Sequence, residues 1–151
     1  MLDIVLVQPE IPQNTGNIGR TCLLTGSRLH LVGPLGFSLA DKELKRAGLD
    51  YWPQLDVAVY GDWPEFWARH CGRQIYCLTT KGSRRHTQVS WPRQSMLVFG
   101  RETGGLSPEI MALGEKVRLP MAPGCRSLNL SNAVAICVYE YLRQWDFPGL
   151  V

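Results

Sequence analysis

The stretch SLNLSNAVAICVYEYLRQW, residues 127–145, decides the class of fold. Within it Leu130, Ala133, Val134, Cys137, Val138, Tyr141, Leu142 and Trp145 recur at the i, i+3, i+4, i+7 spacing of one helical face. Ala135 and Ile136 add apolar surface off that stripe, so the spacing predicts a helix buried on more than one side, against a second subunit or a covering loop. Just upstream, residues 117–119 form a short apolar run of strand length, followed by Pro120, Met121 and a loop over 122–126. A strand, a loop and then a helix is the repeating unit of an α/β sheet.

The same unit recurs toward the N-terminus. Residues 2–7 are an apolar run ended by Gln8-Pro9, and 14–25 have helical character, with Asn14 or Thr15 as the expected cap and Gly26 as the stop. Further strands are expected at 29–32, 57–60, 75–78 and 96–99. A charged helix is expected over 41–47, ended by Gly48, and another is capped by Asp62 and runs through Trp63, Phe66 and Trp67. The strands are continuous apolar runs rather than period-two alternations, which predicts a mostly parallel sheet with helices on both faces. The 151 residues hold no internal repeat, low-complexity tract or linker, so a single α/β domain over 1–151 is expected.

Composition narrows the class without naming an activity. Hydrophobic residues are 45% and charged residues 19%, the range of a folded globular chain. A formal charge of +3 is compatible with a polyanionic partner but does not require one. The five cysteines, Cys22, Cys71, Cys77, Cys125 and Cys137, are odd in number and contain no C-x-x-C pair. A disulfide framework and a zinc site are therefore not expected, and no metal is. The N-terminus has neither a basic leader nor a long apolar run, so neither export nor a membrane partner is expected, and a cytoplasmic setting is.

Ligands of open α/β sheets bind beyond the carboxyl ends of the strands, and three polar, glycine-bearing segments fall there. They are Asn14-Thr15-Gly16-Asn17-Ile18-Gly19-Arg20, Phe99-Gly100-Arg101-Glu102-Thr103-Gly104-Gly105-Leu106, and Pro120-Met121 with Ser127-Leu128-Asn129-Leu130-Ser131-Asn132-Ala133. Glycines let backbone amides approach a ligand, and a following helix start favours anions. Each segment also has a plain structural use, as a tight turn, a loop or a helix cap. The P-loop G-K-[ST] is absent, and so is a dinucleotide G-x-G-x-x-G with its downstream acid.

Taken in order, N-x-G-N-x-x-R, F-G-x-E-x-x-G-L and P-M-(x)5-S-L-N-L-S-N-A-V resemble the three motifs of the SPOUT methyltransferases, specifically the SpoU family. The similarity is greatest to the small single-domain branch acting on the wobble nucleotide of tRNA, the tRNA (cytidine/uridine-34) 2′-O-methyltransferases. The opening QPEIPQNTGNIGR, K-x-x-x-RAGLDYW, LTTKG and VYEYLRQW extend the resemblance along nearly the whole chain. Arg101 is a departure, a charge where small residues or proline also fit.

That resemblance implies a deep C-terminal trefoil knot, which periodicity alone does not suggest because chains are as a rule unknotted. It implies S-adenosyl-L-methionine as cofactor, held by Leu78, Thr79, Gly100, Glu102, Gly105, Leu119, Met121, Ser127 and Leu128, with a bulky residue at Gly100 expected to fill the adenosyl space. It implies a homodimer packed through the first and last helices, with the anticodon stem-loop of tRNA, leucine isoacceptors foremost, as partner. Arg20 is the position the family associates with catalysis. As arginine's pKa lies above about 12, an orienting and electrostatic role is expected rather than that of a general base. Tyr139 and Asn129 are the other catalytic candidates, Tyr139 from the same or the other subunit. Asn14, Asn17, Lys81, Arg84, Arg85 and Arg126 are the expected RNA contacts, with His86 beside them; Trp52 or Trp91 would stack on bases if exposed. The competing readings are a 2′-O-methyltransferase for ribosomal RNA and a non-catalytic RNA-binding protein of the same fold.

Overall fold

The computed structural model describes residues 1–40, 42, 44, 46 and 51–151. Its strands are β1 (Asp3–Val7), β2 (Arg28–Val32), β3 (Val57–Tyr60), β4 (Ile75–Leu78), β5 (Arg84–Arg85), β6 (Met96–Phe99) and β7 (Glu115–Arg118). Among the described residues these seven form one sheet in the order β3-β2-β1-β6-β4-β7-β5, and every pairing is parallel. The helices whose bounds are described are α1 (Pro12–Thr25), α2 (Trp63–His70), α3 (Pro108–Met111) and α4 (Leu130–Gln144), with 3-10 turns at Trp52–Gln54 and His86–Gln88.

The pleat sorts the central strand's side chains into two cores. Ile4 and Leu6 face a layer that includes Ile18 and Cys22 of α1 and Val134, Cys137, Val138, Tyr141 and Leu142 of α4. Val5 and Val7 face the opposite layer, with Phe66 of α2 and Ile110 and Met111 of α3. Both faces of β1 are buried, which is why its sequence is a continuous apolar run. The eight-residue stripe read from 130–145 is the buried or half-buried face of α4, and Ile136 and Tyr139 remain exposed beside it.

Several local expectations need correction. α1 begins at Pro12 with Ile11 at the N-cap and no side-chain cap bond, so neither Asn14 nor Thr15 is the cap. Proline fits the first helical turn because its missing N–H has no partner to lose there, and Asn14 is buried and engaged elsewhere. Gly26 does end the helix, in the left-handed conformation at φ 63°. Asp62 does cap α2, its carboxylate accepting from the Glu65 N–H at 2.9 Å. The last strand lies at Glu115–Arg118 rather than 117–119, and β5 and α3 were not foreseen. Of the helix expected over 41–47, residues 41, 43, 45 and 47 lie outside the described residues, as does Gly48. Trp91 is 2% exposed and Trp52 packs against Gly19, so neither is a free stacking surface.

Strands β1 to β3 step outward in one direction and the later strands fill the other side of β1, so the chain reverses between β1 and β6. The carboxyl ends of β1, β6, β4 and β7 therefore surround the crevice where such sheets bind ligands.

Candidate active site

A cavity of about 580 Å³ opens at that crevice. Its walls come from Ile11 and Asn14 after β1, residues 78–81 after β4, 99–106 after β6, and Leu119, Met121 and 126–130 after β7, with Met111 and Ala133. Every residue expected to hold the cofactor lies on this wall: Leu78, Thr79, Gly100, Glu102, Gly105, Leu119, Met121, Ser127 and Leu128. Asn14, Lys81, Arg126 and Asn129 lie there too. Asn17, Arg20, Arg84, Arg85 and Tyr139 do not.

A hydrogen-bonded chain of side chains ties the three segments together. The Glu102 carboxylate accepts from the backbone N–H of Glu10 at 2.8 Å and of Ile11 at 3.0 Å, and from Asn14 Nδ2 at 3.3 Å. Its negative charge thus sits at the start of α1, where the helix dipole and free N–H groups favour an anion. Asn14 Oδ1 accepts from Asn129 Nδ2 at 3.0 Å. Asn129 Oδ1 in turn accepts from the Ser131 N–H at 2.9 Å, the Ser131 hydroxyl at 2.6 Å and the Asn132 N–H at 3.3 Å, capping α4. Both amides are therefore fully oriented, and Asn129 serves as cap and tether at once. Glu10 returns the link: its carboxylate accepts from the backbone N–H of Thr103 at 3.0 Å and from the Thr103 hydroxyl at 2.7 Å. These bonds and the Arg101 charge hold the Glu10 carboxyl below its usual range.

The loop 100–105 is a tight turn in which the Gly105 N–H donates to the Arg101 carbonyl at 2.9 Å. Gly105 has φ 64°, a conformation that favours glycine. A Cβ on Gly100 would stand 2.1 Å from the Gly105 carbonyl carbon and 2.3 Å from the Leu106 nitrogen. The expectation that bulk at Gly100 fills the ligand space is thus corrected: even one methyl collides first with the loop's own backbone.

The basic residues divide into two groups. Lys81, Arg101 and Arg126 are exposed at the cavity wall. Arg84 is engaged away from it, in an ion pair with Glu115 and a hydrogen bond to the Gln88 carbonyl at 2.6 Å, and Arg85 lies beside it on the edge strand. His86 is half-buried, and burial lowers its pKa. Arg20 is exposed on α1 with its guanidinium 5.3 Å from the Tyr51 ring centroid. Tyr139 is 52% exposed on α4, beside Phe147. Glu10, Arg101 and Tyr51 are the residues around these groups to which the sequence assigned no role; Glu10 and Tyr51 stand inside quoted motifs, QPEIPQN and RAGLDYW, whose pattern does not say which members touch the site.

The three buried cysteines are outside this chemistry. Burial pushes the Cys22 and Cys137 thiols to about 12 and Cys77 to about 11, which leaves them protonated and inert. Among the described residues no helix is long and apolar enough to cross a membrane.

Apolar walls, close backbone approach and a cationic mouth fit a nucleoside with an anionic neighbour, and the volume lies in the usual range of small-molecule sites. Comparison with known proteins points the same way. Residues 1–139 match the model described as the SpoU rRNA Methylase family. A tRNA (cytidine(34)-2′-O)-methyltransferase of Methylovorus glucosotrophus is 54% identical over 154 aligned residues, covering 100% of both chains. A solved structure presented as "Structural insights into the 2-OH methylation of C/U34 on tRNA" superposes with a TM-score of 0.93 at 40% identity, over 97% of each chain. The SpoU methyltransferase AviRb of Streptomyces viridochromogenes, solved in complex with AdoMet, superposes with a TM-score of 0.84 at 25% identity. That match covers 97% of this chain and 58% of AviRb.

Proposed function

The chain belongs to the SpoU rRNA methylase family, and from that premise we propose that it methylates the ribose 2′-hydroxyl of nucleotide 34 of tRNA, using S-adenosyl-L-methionine, as a homodimer. The observation that carries the reading is the cavity at the carboxyl ends of β1, β6, β4 and β7, where all three motif segments meet and are hydrogen-bonded together. The choice of tRNA over ribosomal RNA rests on the relative named for cytidine 34, which matches end to end.

Bound S-adenosyl-L-methionine supplies a methyl group activated as a sulfonium. Leu78, Leu119, Met121 and Leu128 offer the dry slot an adenine ring requires, and the 100–105 turn offers backbone groups to its edge. Asn129 and Asn14 hold the third and first motif segments in fixed relation. Lys81 and Arg126 meet phosphates around the target nucleotide, because they are exposed at the cavity wall. Asn17, Arg84 and Arg85 form a more distant RNA surface, with Arg84 the least available because of its ion pair. We read the C-terminal segment around this cavity as the knotted part of the chain.

Arg20 acts by holding the phosphate next to the reacting hydroxyl and by favouring its ionisation. A guanidinium stays charged at working pH and presents a planar donor fork, which suits anchoring and not proton abstraction. Neither Arg20 nor Tyr139 lines the cavity of its own chain, so a second copy packed on α1 and α4 completes each site. Leu24, Ile136 and Tyr139 leave apolar surface exposed on those two helices. The enzyme is read as working in the cytoplasm, where tRNA is modified. The test is methylation of tRNA by the purified protein, with the modified nucleotide located.

A further inference from the structure

Tyr51 and Trp52 belong to the RAGLDYW segment, which the reading above leaves without a task. Trp52 opens a short 3-10 turn, Trp52–Gln54, and the Leu55 N–H closes it on the Trp52 carbonyl at 3.1 Å. This turn is clamped to α1 at Gly19. A Cβ on Gly19 would lie 2.9 Å from Trp52 Cζ3 and 3.1 Å from Leu55 Cδ2, so the indole and Leu55 occupy the space a side chain would need. The clamp sits one residue from Arg20. Tyr51, which accepts the Gln54 N–H at 2.9 Å through its carbonyl, carries its ring under the Arg20 guanidinium at 5.3 Å.

That distance is within the range of a cation–π contact. A ring partner neutralises no charge and takes up none of the guanidinium's five N–H donors as a carboxylate fork would. A carboxylate partner would do the reverse, neutralising the charge and consuming the fork. Among the described residues no carboxylate forms an ion pair with Arg20. A long exposed side chain otherwise gives up rotamer freedom each time it engages a ligand, and the ring removes part of that freedom in advance.

We propose that Tyr51 is a positioning residue of methyl transfer, a platform that holds the Arg20 guanidinium over its ring while keeping its donors open for an RNA phosphate. The inference rests on the reading of Arg20 as the group that engages the substrate phosphate.

Single-turnover methyl transfer by the full-length protein, with calorimetric binding of S-adenosyl-L-methionine as a second readout, tests it on Tyr51→Leu, Tyr51→Gln, Tyr51→Phe, Arg20→Ala and the Arg20→Ala/Tyr51→Leu pair. The expected result is a rate loss of ~5- to 30-fold in Tyr51→Leu and Tyr51→Gln, the scale of one cation–π contact. Cofactor affinity should be unchanged in both, because the ring does not line the cavity. Tyr51→Phe, which keeps the ring, should recover most of the rate. In the Arg20→Ala background the leucine substitution should cost nothing further. Wild-type rates in both non-aromatic variants, a phenylalanine variant as slow as leucine, or an equal loss with and without Arg20 would each overturn the platform. A fully active Arg20→Ala would instead overturn the role of Arg20, and the two failures are distinguishable because each is read from a different single variant.

Discussion

Asn129 donates a hydrogen bond of 3.0 Å from its Nδ2 to Oδ1 of Asn14, a residue 115 positions earlier in the chain. The same Asn129 caps α4 through its oxygen, so one amide group couples the start of the last helix to the start of the first. Glu102 grips the other side of Asn14 and closes the frame of the cavity.

Separating these two duties gives the first prediction. Asn129→Ala removes cap and tether and should cost about 1–2 kcal/mol, lowering Tm by roughly 2–8 °C. Asn129→Asp keeps the capping oxygens and adds a charge favourable at a helix start, but loses the donor to Asn14. It should unfold near the wild-type temperature and bind S-adenosyl-L-methionine about tenfold more weakly. Differential scanning calorimetry and titration calorimetry on the two variants check this; equal affinity in Asn129→Asp and wild type would show that the bridge to Asn14 does not organise the cavity.

The second prediction contrasts two neighbouring glycines. Gly100→Ala must push the Gly105–Leu106 backbone away and should abolish cofactor binding with a stability loss of about 4 kcal/mol or more. Gly104→Ala first meets the Arg101 side chain, with Nε at 2.6 Å, which can swing aside. It should change stability by no more than about 0.5 kcal/mol. Thermal unfolding with and without cofactor measures both.

Much of this fold was legible in the sequence, and the failures have a common cause. The α4 stripe and the strands at 57–60, 75–78 and 96–99 came out where periodicity placed them, because burial on one face or both writes itself into local spacing. The two-residue β5 carries no spacing to read, and its arginines are fixed by pairing with β7. Asn14 looked like a helix cap because asparagines before helices usually are; its partners, Glu102 and Asn129, lie 88 and 115 residues away. The nine residues assigned to the cofactor from the motifs all lie on one cavity wall. What those motifs did not convey is that Gly100 serves loop closure, that Glu10 locks Thr103, and that Arg20 rests on Tyr51.

The acid limb of stability should report a cluster on the far side of the sheet. Asp3 is buried, which opposes its charge, but hydrogen bonds from His30 at 2.7 Å and Arg73 at 2.8 Å hold its carboxyl below the ordinary value near 3.8. A depressed folded-state pKa means the stabilisation is present above the unfolded value and is lost as pH falls through the folded one. Urea unfolding at pH 7, 5, 4 and 3 should therefore show stability falling steeply in the acidic steps. In Asp3→Asn the neutral-pH stability should be lower and the acid fall shallower. A parallel curve for the two proteins would mean Asp3 contributes none of the acid sensitivity.

The assembly prediction follows from Leu24 and Ile136, 59% and 41% exposed on α1 and α4. Light scattering at micromolar concentration should give twice the chain mass. Ile136→Arg should give the monomer, which keeps cofactor binding but loses methyl transfer by at least ~10²-fold, because Arg20 and Tyr139 then have no second cavity to serve. A fully active monomer would contradict the shared site.

The most direct test of the account is to incubate the purified protein with unmodified and cellular tRNA and S-adenosyl-L-methionine, then digest the RNA and locate the methylated nucleotide by mass spectrometry. The account predicts a single 2′-O-methyl group on nucleotide 34, a cytidine or uridine, foremost in leucine isoacceptors, and its loss in Gly100→Ala. Methylation of ribosomal RNA with none on tRNA, or a methyl group on a base instead of the ribose, would contradict it.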